Sequence, residues 1–179
     1  FDVSGGGQTV QYVNVRDSEA SSNDITANSS FNSGGTDADG SSPQWVFSAG
    51  TNRYWVGTSG GAWNDNSNWS AASGGAGGAS YPAGTDTAVF DSSDTDGCTL
   101  TAPVLAAAID IQSGYTGRID MGGYDITLSD TLDVTDGELE LDTGSDLSVS
   151  GALTVDGGVL DALNGSIDAD SAVTCSAGT

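Results

Sequence analysis

The side chains available for chemistry in this sequence are almost all carboxylates. There are 25 Asp and Glu against three arginines, Arg16, Arg53 and Arg118, with no lysine and no histidine. Without histidine there is no Ser-His-Asp or Cys-His pair, and without lysine no P-loop and no Schiff base. Carboxylates have two kinds of work open to them: holding a hard cation, or acid and base duty at a glycosidic bond. DSSDTDG sets Asp91, Asp94 and Asp96 before a glycine, and TDADG presents Asp37 and Asp39. Ca²⁺ takes six to eight oxygens, and carboxylates on a tight turn can supply some of them. These five aspartates are the candidate metal ligands, although neither stretch has the spacing of an EF-hand loop. A paired-carboxylate enzyme such as a polysaccharide lyase would need basic groups for acidic sugars, and three arginines are a thin supply. The chain is therefore expected to be non-enzymatic and to require no cofactor, with Ca²⁺ as the candidate ion.

Aromatic rings form the second cluster. RYWVGTSGGAWNDNSNWS, residues 53 to 70, holds three of the four tryptophans. Trp63 and Trp69, in a loop of Asn, Ser and Gly, are the candidates for stacking on a sugar ring. Trp55 lies inside the strand-like YWV and is expected to plug a core, with Tyr54, and with Trp45 and Phe47 of the preceding WVF, at a structural junction. Cys98 and Cys175 are too few for a disulfide framework. At one coil per ~20 residues they would lie about 19 Å apart, beyond the reach of a disulfide, so buried free thiols are expected. The sequons at Asn28, Asn68 and Asn164 matter only if the chain is exported to a glycosylating compartment.

The elements that must position these residues are strands. Amphipathic helical periodicity is absent, whereas from residue 107 short alternating runs follow one another: AAIDI, GRIDM, YDITL, TLDV, ELEL, DLSV, ALTV, GVLD, SIDAD and AVTC. One inward residue from each later run gives Ile119, Ile126, Leu132, Leu139, Leu147, Leu153, Val159, Ile167 and Val173. Each lies about 20 residues from the third one after it, as stacked repeats require. This predicts an all-β fold, a parallel β-helix (β-solenoid) with three short strands and about 20 residues per coil. The same grammar opens the chain, with Val10, Tyr12 and Val13 or Val15 as core candidates and a strand around Ile25. The expected organisation is closing coils of one unit over 1–48, a Trp/Gly-rich junction and opening segment over 49–97, and solenoid coils over 98–179.

The formal net charge of -22 argues against nucleic acid and anionic membrane surfaces as partners. The same charge opposes close assembly unless salt or divalent cations screen it. The 36% hydrophobic content is patterned, which argues against disorder. No apolar run is long enough to span a membrane, and FDVSGGGQTV lacks the basic and apolar regions of a signal peptide.

RYWVG, GAWND, SNWS, GGAGGASYP and DTAVFD together resemble the opening of modules in very large repetitive bacterial surface proteins. VQYVNVRDSEASSNDITANSSFNSGG followed by WVF resembles their closing segment. The family is adhesin-like and autotransporter-like, with pectate-lyase-type right-handed β-helices. The resemblance implies extracellular or cell-surface display, a structural or adhesive role, and a right-handed coil. Here the closing segment precedes the opening one. That order is expected of copies stacked head to tail into a filament, or of one stretch of a tandem chain. A carbohydrate-binding adhesin module using Trp63 and Trp69 on cell-surface glycans is the alternative.

Overall fold

The computed structural model describes residues 6–11, 13–28, 30–32 and 34–176. Tyr12 lies outside them. The described chain is all-β apart from one short 3₁₀ turn, Asn66–Asn68, and forms a β-solenoid of about 8 turns with roughly 21 residues per coil.

The first unit contains β1 (Gln8–Gln11), β2 (Asn14–Val15), β3 (Ile25–Asn28), β4 (Phe31–Asn32) and β5 (Trp45–Phe47). They form two parallel sheets, β1-β3-β5 and β2-β4. A small core of Val15, Ala20, Ile25, Ala27 and Trp45 sits between them. Asp37 fastens this unit: its two oxygens accept the amides of Ala20 at 2.7 Å and Trp45 at 3.1 Å.

After the joint come β6 (Asn52–Trp55), β7 (Gly61–Ala62), β8 (Trp69–Ser70) and β9 (Thr87–Phe90). The regular coils follow, in triplets. These are β10 (Cys98–Thr99), β11 (Val104–Ala106) and β12 (Ala108–Ile111), then β13 (Arg118–Asp120), β14 (Ile126–Leu128) and β15 (Leu132–Val134). β16 (Glu138–Glu140), β17 (Asp146–Val149) and β18 (Leu153–Asp156) make the next coil, and β19 (Val159–Asp161), β20 (Ser166–Ala169) and β21 (Val173–Ser176) the last described. Three sheets run along the stack: β7-β10-β13-β16-β19, β11-β14-β17-β20 and β8-β6-β9-β12-β15-β18-β21. Each coil pairs in parallel with its neighbours, and only β8 joins antiparallel, beside β6.

Register explains why such short strands suffice. Ile126 stands over Leu147, and Ile109, Leu132 and Leu153 form another column, all essentially without exposed surface. A single coil exposes its apolar face, whereas stacking converts those faces into one continuous core. One expected position is corrected. Leu139 pairs with Leu160, and Val159 pairs with the outward Glu138, so Val159 is 50% exposed. In GVLD both Val159 and Leu160 fit an inward position, and a one-residue shift exchanges the faces.

The joint is held by Asp86, which is buried. Its Oδ1 accepts both the amide and the hydroxyl of Thr51 at 3.0 Å, and its Oδ2 accepts the Ala83 amide at 3.4 Å. Thr85 donates its hydroxyl to the Ser48 carbonyl at 2.9 Å, tying the two units together. Gly50 permits this approach, since a Cβ there would lie 1.7 Å from the Thr85 carbonyl oxygen.

Candidate functional site

The tryptophans of the opening segment form a closed cap. Trp69, on β8, packs edge-on against Trp55 at 5.2 Å, Trp63 at 4.9 Å and Phe90 at 5.5 Å between ring centroids. Phe90 then meets Tyr115 at 5.3 Å, carrying the aromatic stack into the first regular coils. Every polar edge is answered: the Trp69 indole donates to the Trp63 carbonyl at 2.5 Å and Trp63 to the Pro82 carbonyl at 3.4 Å. Trp55 and Tyr115 both donate to the Asp96 carbonyl, at 2.9 and 3.0 Å. Burial with a satisfied indole N–H is how tryptophan serves a core.

The two candidates for sugar stacking, Trp63 and Trp69, both lie in this core. All four tryptophans are buried, Trp69 with no exposed surface at all, while Trp63 borders a cleft of about 220 Å³ with Tyr81, Pro82 and Val104. Asn and Gly around them suggest a solvated loop. The antiparallel return of β8 instead folds that loop over the end of the core. Tyr54, beside Trp55 on β6, is half-buried. Trp45 and Phe47, at 6.3 Å between centroids, belong to the first unit's core and not to this cap.

The expected metal ligands are engaged locally. Asp91 accepts the Ser93 amide at 2.8 Å, Asp94 the Asp96 amide at 3.0 Å and Asp39 the Ser41 amide at 2.9 Å. These are turn-closing bonds between a side chain and the backbone two residues on. Asp91, Asp94 and Asp96 do not converge on one point, and Asp37 is the latch of the first unit. Burial opposes ionisation of Asp91, but the Ser93 and Ser73 hydroxyls and the Ser93 amide outweigh it and lower its pKa. Asp94 shifts the other way, raised by burial and by the charges of Asp96 and Asp91, against the bond from the Asp96 amide.

Among the described residues, three carboxylates converge at one place. Asp120, Glu140 and Asp142 each bring an oxygen within 4.8 Å of the others. Asp120 and Glu140 are register partners on the outer face of the β7-to-β19 sheet, and Glu140 pairs onward with Asp161. Coil stacking thus builds a ladder of negative charge at roughly 4.8 Å intervals. Arg118 relieves it in part, with Nη1 at 2.5 Å from Glu140 and Nη2 at 3.6 Å from Asp120. The hydrogen bond that a protonated Asp142 donates to Asp120, and the charges of Asp120 and Glu140, raise the pKa of Asp142. GRIDM and ELELD read alone are two alternating strands, and only the coil period places their acids side by side.

Cys98 is a free buried thiol whose pKa burial pushes well up, whereas Cys175 is exposed on β21, contrary to the expectation that both are buried. Asn164 is exposed, while Asn28 and Asn68 are half-buried, and the Asn68 amide donates to the Ala62 carbonyl at 3.0 Å.

The two ends of the described stack differ in finish. The aromatic cap closes one. At the other, the inward positions held by Leu147 and Leu153 are taken by Ile167 and Val173, exposed by 40% and 58%. No family model matches the chain, and no curated protein or solved structure matches it either. Its class is given by the fold itself, a parallel β-solenoid of stacked repeats. Among the described residues, no helix is long and apolar enough to cross a membrane.

Proposed function

We propose that this chain is a non-enzymatic structural protein, a subunit or repeat unit of an extracellular or cell-surface filament built by end-to-end stacking of β-solenoids. The observation that carries the reading is the unbroken parallel register of the stacked coils, whose apolar columns become a core only where one coil covers the next. A repeat of this kind extends by adding coils, because each new coil meets the same strand edges and the same apolar face. The acidic outer faces hold fibres apart by repulsion, and Ca²⁺ is the ion that the Asp120, Glu140 and Asp142 group would take as a screen.

Electron microscopy of the purified protein, across salt and Ca²⁺ concentrations, tests the reading. Filaments with an axial repeat set by the coil stack are expected. Uniformly monomeric particles under all these conditions would sink it.

A further inference from the structure

The cleft that Trp63 borders lies where the first unit meets the segment after the joint. The first unit contributes Val13 and Phe31, and the later segment contributes Trp63, Tyr81, Pro82 and Val104. Its walls are held without a ligand. The Trp63 indole donates to the Pro82 carbonyl at 3.4 Å, the Tyr81 amide to Asn66 Oδ1 at 3.0 Å and the Gly84 amide to the Leu105 carbonyl at 2.9 Å. On the first unit the Phe31 amide donates to the Val13 carbonyl at 2.8 Å. Pro82 and Pro103, both in the lining, have their φ fixed by the ring. Walls pinned in this way lose little freedom when something binds between them.

The chemistry of the lining narrows what that is. Charged residues make up 16% of the chain, yet among the described residues none that lines this cleft carries a charge. A hard cation would find no carboxylate there, and an anion no arginine. A charge brought into such a lining would stay unpaired, which is costly, so the ligand is neutral. Phe31, Tyr81 and the two prolines offer flat apolar surface for a face of C–H groups. Asn64, exposed at the cleft, supplies polarity. Its Oδ1 accepts the Thr101 hydroxyl, which leaves the Nδ2–H donors to meet an acceptor on a ligand. A neutral molecule with an apolar face and hydroxyl oxygens round its edge is a sugar ring. At about 220 Å³ the cleft is smaller than the roughly 300 Å³ at which drug-sized sites begin, so it takes one ring and not a chain of them.

We propose that the cleft between the first unit and the opening segment binds a single uncharged sugar ring, its C–H face against Tyr81 and Pro82 and a hydroxyl on Asn64. Trp63, buried and bonded to Pro82, holds the wall and does not stack on the ring. The site is independent of the filament reading and would serve a monomer or an assembly alike. A ring seated there touches both units, so it binds only while they are docked and stabilises their junction.

The test uses the full chain and four probes, the methyl glycosides of glucose, galactose, mannose and N-acetylglucosamine. Binding is read by saturation-transfer NMR and by the rise in melting temperature. At least one probe is expected to bind with a Kd on the order of millimolar, as suits one small ring. Methyl glucuronide, the glucose ring with a carboxylate, is expected to bind about tenfold more weakly than the glucoside. Ala102→Phe fills the cleft from a half-buried lining position and is expected to abolish the signal, with circular dichroism as a check on the fold. Asn64→Ala, at an exposed side chain that leaves the core untouched, is expected to weaken binding about fivefold. Tyr124→Ala removes an exposed ring that does not line the cleft and is expected to leave binding unchanged. The proposal is overturned if none of the four probes receives saturation, or if Ala102→Phe and Asn64→Ala bind them as the parent does. It is equally overturned if methyl glucuronide, or N-acetylphenylalanine amide standing for a peptide side chain, binds in preference to every neutral sugar. None of these results bears on the filament reading, which microscopy decides.

Discussion

Trp69 has no exposed surface and touches Trp55, Trp63 and Phe90, so removing it is a core truncation rather than the loss of a binding platform. Trp69→Ala is expected to cost about 3–5 kcal/mol, the usual range for a buried large aromatic, read as a fall in the denaturant midpoint. An unchanged midpoint would mean that the cap is not closed in solution. The acidic ladder supplies a second prediction at this scale. The folded pKa of Asp142 lies above the ordinary 3.8, through the hydrogen bond and charge of Asp120, and that of Asp94 is raised by burial. For a carboxyl raised on folding, the folded state binds the proton more tightly. Its contribution is therefore present at low pH and lost as pH climbs from the unfolded value through the folded one. Asp91, lowered by its serine bonds, behaves oppositely and loses its contribution as pH falls below the ordinary value. The melting temperature should therefore rise as pH drops from neutral toward about 4, then fall. Asp142→Asn should flatten the neutral side of that curve, and a melting curve series in a set of buffers measures it.

At the scale of elements, short strands succeed here because the next coil supplies the partner that each one lacks. The joint is where that help is interrupted and where close approach replaces pairing. Gly50→Ala would place a methyl group 1.7 Å from the Thr85 carbonyl, so the backbone on one side must move. The expected cost is about 1–3 kcal/mol, read by thermal unfolding, with loss of the Thr85 to Ser48 bond. Asp86→Ala, which removes the acceptor of the Thr51 amide and hydroxyl, should destabilise by a similar amount, about 1–3 kcal/mol. The alternating runs and their spacing were legible for these elements, since a period of two and a repeat of about 20 residues leave direct marks in sequence. The joint's hydrogen bonds were not, because Asp86 finds Thr51 across 35 residues.

For the whole molecule, the net charge of -22 must be overcome before copies can stack. Raising NaCl from about 10 to about 150 mM shortens the screening length from about 30 to about 8 Å, less than two coil spacings. Stability and any assembly should both increase with salt, and Ca²⁺ should act at lower concentration than Na⁺. A melting temperature that falls with added salt would contradict the view that self-repulsion limits the fold.

Alternation, turn residues and the repeat length were enough by themselves to determine an all-β parallel solenoid and its inward columns, because each is a local pattern copied down the chain. They also lead to the expectation of a break near residue 50. What the tertiary structure decided were matters of one residue or of long reach. Val159 and Leu160 are neighbours of similar hydrophobicity, and only pairing with Glu138 and Leu139 settles which faces the core. Trp63 and Trp69 sit among polar residues, and only the antiparallel turn of β8 buries them. Asp120, Glu140 and Asp142 are spread over 23 residues of chain, and only coil stacking sets them together. Composition records how much apolar and acidic surface a chain owns. Register and closure determine which of it is covered, and the uncovered remainder is what a partner can use.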